Sequence, residues 1–124
     1  MYRVIIADDE PFVREGLKEM IPWEELGYSL EGAFKNGKEA VDAVEKISPD
    51  VVILDIQMPV MNGYDATLAI RKMKDTKKAR IPIVAMTANA FAEDIQNVLS
   101  VGMNDHVAKP VDMNILVSTM MKYL

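Results

Sequence analysis

Val51-Val52-Ile53-Leu54-Asp55-Ile56-Gln57-Met58-Pro59 opens with four unbroken apolar residues and turns abruptly at a carboxylate. A strand buried on both faces loses the in/out alternation of a half-exposed one and reads as a continuous Val/Ile/Leu run. Residues 51–54 therefore predict a central parallel strand with Asp55 at its carboxyl end. Pro59 cannot donate to a ladder, so the strand is over by then. In open α/β sheets the loops at the carboxyl ends converge on a crevice, which makes Asp55 the natural centre of any chemistry.

Upstream, residues 2–7 form a second buried-strand run, which ends in Asp8-Asp9-Glu10. Pro11 suits the first turn of a helix, where its missing N–H costs nothing. Phe12, Val13, Leu17, Met20 and Ile21 follow at helical spacing as a buried stripe, and Pro22 ends it. Trp23 covers the end of that helix. Residues 28–34 predict a shorter strand. Asn36-Gly37-Lys38-Glu39 then reads as a capping box ahead of the stripe Ala40, Val41, Val44 and Ile47.

Downstream, the loop 57–63 carries the turn residues Pro59, Asn62 and Gly63. Ala66, Ala69, Ile70 and Met73 mark a third helix, and residues 75–80 a charged, exposed connection. Residues 81–86 predict a fourth strand, followed by Thr87. Phe91, Ile95, Val98 and Leu99 mark a fourth helix that Gly102 ends. Residues 105–108 give a last short strand before Lys109-Pro110, and Ile115, Leu116, Thr119, Met120 and Tyr123 a fifth helix. Most of the methionines, Met121 included, fit core filling. Strand and helix alternate five times. That pattern predicts an α/β fold, a flavodoxin-like doubly wound (βα)5 with a five-stranded parallel sheet in the order 2-1-3-4-5.

The totals narrow the function. The 124 residues are expected to make a single domain, 1–124, either free-standing or cut from a longer protein. A net charge of −5 argues against direct nucleic acid binding, and Lys72, Lys74, Lys77 and Lys78 read as a solvated face. With no cysteine there is no thiolate or disulfide chemistry. No apolar run approaches the ~20 residues of a membrane span, and no signal peptide is expected ahead of the first strand. The expected location is cytoplasmic, with no membrane partner.

In the 2-1-3-4-5 order the first and third strands are neighbours, so Asp8, Asp9 and Asp55 crowd together. Carboxylates this close repel one another, and a divalent cation relieves the conflict. Mg2+ takes a few carboxylates, keeps waters and leaves positions for phosphate oxygens. The hydroxyl of Thr87 and the ammonium of Lys109 arrive from the last two strands. Together these groups suit phosphoryl transfer, with Asp55 as nucleophile and Lys109 neutralising the phosphoryl oxygens. Singly, each has a plainer reading. Asp8-Asp9-Glu10 could be an acidic helix start, Asp55 a strand-end cap, Thr87 a turn residue and Lys109 a surface residue. The joint placement is what argues against those.

Along its whole length the chain resembles the receiver domains of two-component response regulators. The matching residues are Asp8-Asp9, Asp55, Met58-Pro59-Val60-Met61-Asn62-Gly63, Thr87-Ala88 and Lys109-Pro110. Residues 21–28 look like receivers that precede AraC-type DNA-binding domains. Residues 86–91 and 102–110 look like receivers of hybrid histidine kinases, and that second match is the longer.

The resemblance implies that Asp55 accepts phosphate from the phosphohistidine of a histidine kinase or its phosphotransfer domain. It implies Mg2+, with Mn2+ as an alternative, held by Asp9, Asp55 and the Gln57 backbone carbonyl, and by Asp8 through water. Thr87 and residue 106 would respond to phosphate and remodel the surface of the fourth helix, fifth strand and fifth helix. Gln57 and Asn89 would flank the site and tune phosphoryl lifetime, and Lys109-Pro110 would be cis. The implied activity is self-phosphorylation and autodephosphorylation only. Implied partners are a kinase, a linked kinase or DNA-binding output domain outside this chain, and a second copy in a homodimer. One departure stands out: His106 occupies the position where the family usually has Tyr or Phe.

Two rival functions fit less well. A phosphatase working through an aspartyl phosphate wants a carboxylate two residues after the nucleophile, and that position is Gln57. A flavin-binding module wants a Ser/Thr/Gly-rich phosphate loop after the first strand, where Asp8-Asp9-Glu10 would repel phosphate.

Overall fold

The strands β1 (Tyr2–Ala7), β2 (Tyr28–Phe34), β3 (Val51–Asp55), β4 (Ile83–Thr87) and β5 (Asp105–Ala108) form one parallel sheet in the order β2-β1-β3-β4-β5. The helices are α1 (Pro11–Met20), α2 (Gly37–Ile47), α3 (Gly63–Arg71), the single turn α4 (Thr76–Ala79), α5 (Ala92–Ser100) and α6 (Met113–Met121). This computed structural model describes residues 1–88 and 92–124, without the side chains of residues 92–94.

Successive residues of a strand face opposite layers, and the sheet sorts its apolar side chains accordingly. Ile5, Ala7, Val52, Leu54, Ile83 and Ala85 pack with Ala40, Val44, Ala66, Ile70 and Val98 from α2, α3 and α5. Val4, Ile6, Val51, Ile53, Val84 and Met86 pack with Leu17, Ile21, Leu116 and Met120 on the α1 and α6 side. Every residue of β3 and β4 is buried. A fully buried Ile or Leu stabilises by about 1.5–3 kcal/mol, so these two layers hold the sheet against its helices.

Helix ends follow local chemistry. Pro11 starts α1, Asn36 Oδ1 caps α2 by accepting the Glu39 N–H at 2.9 Å, and Asn62 Oδ1 caps α3 from Asp65 N–H at 2.8 Å. Trp23 closes the far end of α1, its Nε1–H donating to Leu17 O at 3.0 Å while its ring meets Tyr28 edge-on.

Register brings the expected groups together. Ala7 pairs with Leu54, Asp55 with Met86, and Thr87 with Ala108, so the residues that end or follow β1, β3, β4 and β5 share one edge of the sheet. The backbone bonds Asp8 N–H to Phe34 O (3.0 Å) and Lys109 N–H to Thr87 O (2.8 Å) extend that order past the strand ends.

Several expectations need correcting. Phe12 (89% exposed) and Met20 (66%) are not core, although Leu17 and Ile21 are. Residues 12, 16 and 20 form a separate row one step around α1, beyond the reach of the sheet. Leu99, Ile115 and Met121 are likewise exposed. Residues 75–80 are not merely a connection: Asp75 Oδ1 accepts from Lys77 and Lys78 N–H and caps the turn α4. The fourth strand runs Ile83–Thr87, two residues later than its apolar run begins, because Pro82 has no N–H to give the ladder. Phe91 lies outside the described residues.

Candidate functional site

A cleft of about 240 Å³ opens at the carboxyl edge of the sheet, lined by Asp9, Glu10, Asp55, Ile56, Gln57, Ala88 and Lys109. Asp8 lies fully buried behind it. Its carboxylate is held at both oxygens: Glu10 N–H donates to Oδ1 at 2.9 Å, and Lys109 Nζ lies 2.8 Å from Oδ2. Arg14 from α1 donates to the Asp8 carbonyl at 2.6 Å. Lys109 Nζ also reaches Asp55 Oδ2 at 3.3 Å, so one ammonium bridges the ends of β1 and β3.

The electrostatics follow from burial. Asp55 is pushed up from 3.8 to about 6, first by loss of water and then by the Asp8 charge, against the pull of Lys109 and the Gln57 N–H. Burial alone would lower the Lys109 pKa. Its hydrogen bond to Asp8 and the charges of Asp55 and Asp8 outweigh that, and the net shift is upward. Among the described residues the Thr87 hydroxyl is buried and has no hydrogen-bond partner, a position normally filled by a ligand, water or ion.

Carboxylate oxygens of Asp8, Asp9 and Glu10 lie within 4.8 Å of one another. With Asp55 at the same cleft, this is a hard, anionic oxygen set of the kind that suits Mg2+. The site residues read from sequence thus meet at one edge, with three qualifications. His106 does not line the cleft; it sits in β5 opposite Ala85, with Nδ1 3.9 Å from Asp105 Oδ1. Gln57 lines the cleft with an exposed side chain. Asn89 lies outside the described residues. Lys109-Pro110 is cis.

Sequence reasoning missed Glu10 as a member of the acidic group, although it stands next in the Asp8-Asp9-Glu10 run. It also missed Arg14, whose role has no local signal. A third omission is how the loop after Asp55 is held. Val60 has φ +65°, and Met61 N–H closes a γ-turn around it onto Pro59 O at 2.6 Å. A β-branched residue there is a true outlier, costing about 1–3 kcal/mol and persisting only where its surroundings enforce it. Gly63 N–H closes the loop onto Ile56 O at 2.9 Å, and Gly37 N–H of α2 holds Met61 O at 2.8 Å. A Cβ at Gly63 would overlap the Asp55 carbonyl oxygen, and one at Gly37 the Met61 carbonyl oxygen.

Residues 4–121 match the response regulator receiver domain. The chain belongs to that family. As a receiver of two-component signalling it is 35% identical over 112 residues to an uncharacterized response regulatory protein of Staphylococcus epidermidis, covering 90% of this chain and 42% of that protein. It is 35% identical over 120 residues to the sensor histidine kinase RcsC of Salmonella typhimurium, covering 97% of this chain and 12% of the kinase. The receiver thus spans well under two thirds of these relatives' length. A solved receiver domain of a Pseudomonas aeruginosa sensor histidine kinase is similar at a TM-score of 0.83 and 32% identity, over 98% of this chain and 96% of that one, and has a magnesium ion coordinated in its active site cleft. Among the described residues no helix is long and apolar enough to cross a membrane.

Proposed function

We propose that Asp55 is the phosphoacceptor of a phosphorelay, receiving a phosphoryl group from the phosphohistidine of a histidine kinase or its phosphotransfer domain. The observation that carries this is the bridge of Lys109 between Asp55 and Asp8, 3.3 and 2.8 Å away, beside an acidic cleft. Asp9, Asp55 and the Gln57 carbonyl would hold Mg2+ or Mn2+, with Asp8 reaching it through water. The bound metal would supply charge neutralisation at the phosphoryl oxygens.

The chain's own groups do the rest. An Asp55 carboxylate oxygen forms the new bond to phosphorus as the N–P bond of phosphohistidine breaks, and the electron pair returns to the imidazole nitrogen. With its pKa near 6, Asp55 is ionised and nucleophilic at neutral pH. Lys109 neutralises a phosphoryl oxygen, and the Thr87 hydroxyl, which has no partner among the described residues, gains one. That gain draws Thr87 toward the site and, with His106, alters the face made by α5, β5 and α6. Gln57 and Asn89 set how readily water reaches the acyl phosphate. The protein turns over no external substrate: it self-phosphorylates and autodephosphorylates. It works in the cytoplasm, beside a kinase or DNA-binding output domain, alone or as a homodimer.

The donor's side of the encounter has a fitting surface. An apolar groove of about 570 Å³ is walled by Phe12, Gly16, Met20, Val111 and Met113, and it shares Glu10, Ala88 and Lys109 with the cleft. A donor helix seated there would present its phosphohistidine directly to Asp55.

The test is labelling by a small phosphodonor in Mg2+, followed by intact-mass measurement. A gain of one phosphoryl group that is absent in Asp55→Asn and in EDTA is expected. Equal labelling of both proteins overturns the assignment.

A further inference from the structure

We propose that Gly37, in the first turn of α2, is a positioning residue for the metal-binding loop, an inference that rests on the magnesium reading above. The loop of residues 56–63 follows the nucleophile and carries the Gln57 carbonyl. It is fixed at its ends by Gly63 N–H on Ile56 O. In its middle the chain passes through Val60 at φ +65°, a conformation that an exposed, β-branched residue does not adopt for its own sake. Nothing about Val60 itself accounts for it, since its side chain is 80% exposed. The adjoining residue is the one that is held: Met61 O accepts from Gly37 N–H at 2.8 Å. The same carbonyl lies where a Cβ on residue 37 would be, and Asn62 O lies 3.0 Å from that point.

Only glycine lets α2 approach this closely. Gly37 is in turn presented by the Asn36 cap, whose side chain fixes the first turn through Glu39 N–H at 2.9 Å. α2 therefore acts as a buttress behind the loop. It holds the strained turn shut and sets where the Gln57 carbonyl lies relative to Asp9 and Asp55. A purely helical role predicts the opposite sensitivity, because alanine is the better helix former and would leave the loop untouched.

The experiment is calorimetric titration of the metal-free protein with MgCl2 at pH 7.5. Urea unfolding and the amide NMR shifts of Gln57 and Met58 are recorded on each variant. Gly37→Ala is expected to weaken Mg2+ binding at least fivefold and to move both amides even before metal is added. Asn36→Ala, which keeps glycine at 37 but frays its turn, is expected to weaken binding twofold or more, and Asn36→Ser, which keeps a cap, to restore it. A folded Gly37→Ala with wild-type affinity and unmoved Gln57 and Met58 amides overturns the proposal. Should Gly37→Ala not fold, Asn36→Ala and Asn36→Ser binding equally well overturns it. A wild-type protein that binds no magnesium overturns the metal reading itself and this proposal with it.

Discussion

Replacing Asp55 with asparagine is expected to stabilise the metal-free protein at pH 7.5. Asp55 is buried, faces the Asp8 carboxylate, and titrates near 6 in place of 3.8. Because the folded protein holds that proton more tightly than the unfolded chain, stability is greatest below the unfolded pKa and falls as pH rises from about 4 to about 6. At 1.36 kcal/mol per unit, the shift from 3.8 to about 6 corresponds to a penalty of about 3 kcal/mol, lowered to about 1–3 by water at the cleft mouth. Asparagine keeps the shape and removes the charge, while Lys109 keeps Asp8 as partner at 2.8 Å. For a domain of this size 1 kcal/mol corresponds to about 3–6 °C in Tm. The assay is urea unfolding of both proteins in EDTA at pH 7.5, 5.0 and 4.0. The advantage of Asp55→Asn over the wild type should be largest at pH 7.5, about half as large at pH 5.0, and about a fifth as large at pH 4.0. An advantage that is absent at pH 7.5, or equal at all three pH values, refutes the placement of Asp55 as an ionised, desolvated carboxylate.

Other outcomes follow from the same contacts. Lys109→Met leaves the fully buried Asp8 without its cation and should cost about 2–4 kcal/mol in denaturant unfolding, besides abolishing phosphodonor labelling. Among the described residues the buried Thr87 hydroxyl has no hydrogen-bond partner, so Thr87→Val, which puts a methyl in its place, should make the unlabelled protein about 1 kcal/mol more stable in urea; on the proposed mechanism the labelled protein should also lose a hydrogen bond to the phosphoryl group. Arg71 binds the carbonyls of Gly102, Ala79 and Ile81 and the Asn104 side chain at 2.7–2.9 Å. Arg71→Lys cannot reproduce that fork and should lose about 2 kcal/mol by the same measurement. Magnesium at about ten times its Kd should raise stability by about 1.4 kcal/mol at pH 7.5 and by less at pH 5.0, where protons compete for Asp55; equal gains at both would count against that carboxylate as a ligand.

The alternation of apolar runs and amphipathic stripes determined the element order of this receiver, because burial on two faces writes itself into local sequence. Asp8, Asp9, Asp55, Thr87 and Lys109 were legible for a related reason: each ends or follows a predicted strand, and parallel strands put all those ends on one edge. What lay beyond local pattern was decided by packing. Phe12 and Met20 have the spacing of core residues yet form the wall of a groove, since periodicity cannot say how far around α1 the sheet reaches. Glycine at 37 reads as part of a cap, and only the approach of Met61 from twenty-odd residues away gives its missing Cβ a purpose. Likewise the carboxylate that Lys109 approaches more closely, the proton affinity of Asp55 and the burial of the Thr87 hydroxyl depend on distances of a few tenths of an ångström between strand ends. Those distances are set by sheet register and twist, properties of all five strands together that no single stretch of sequence contains.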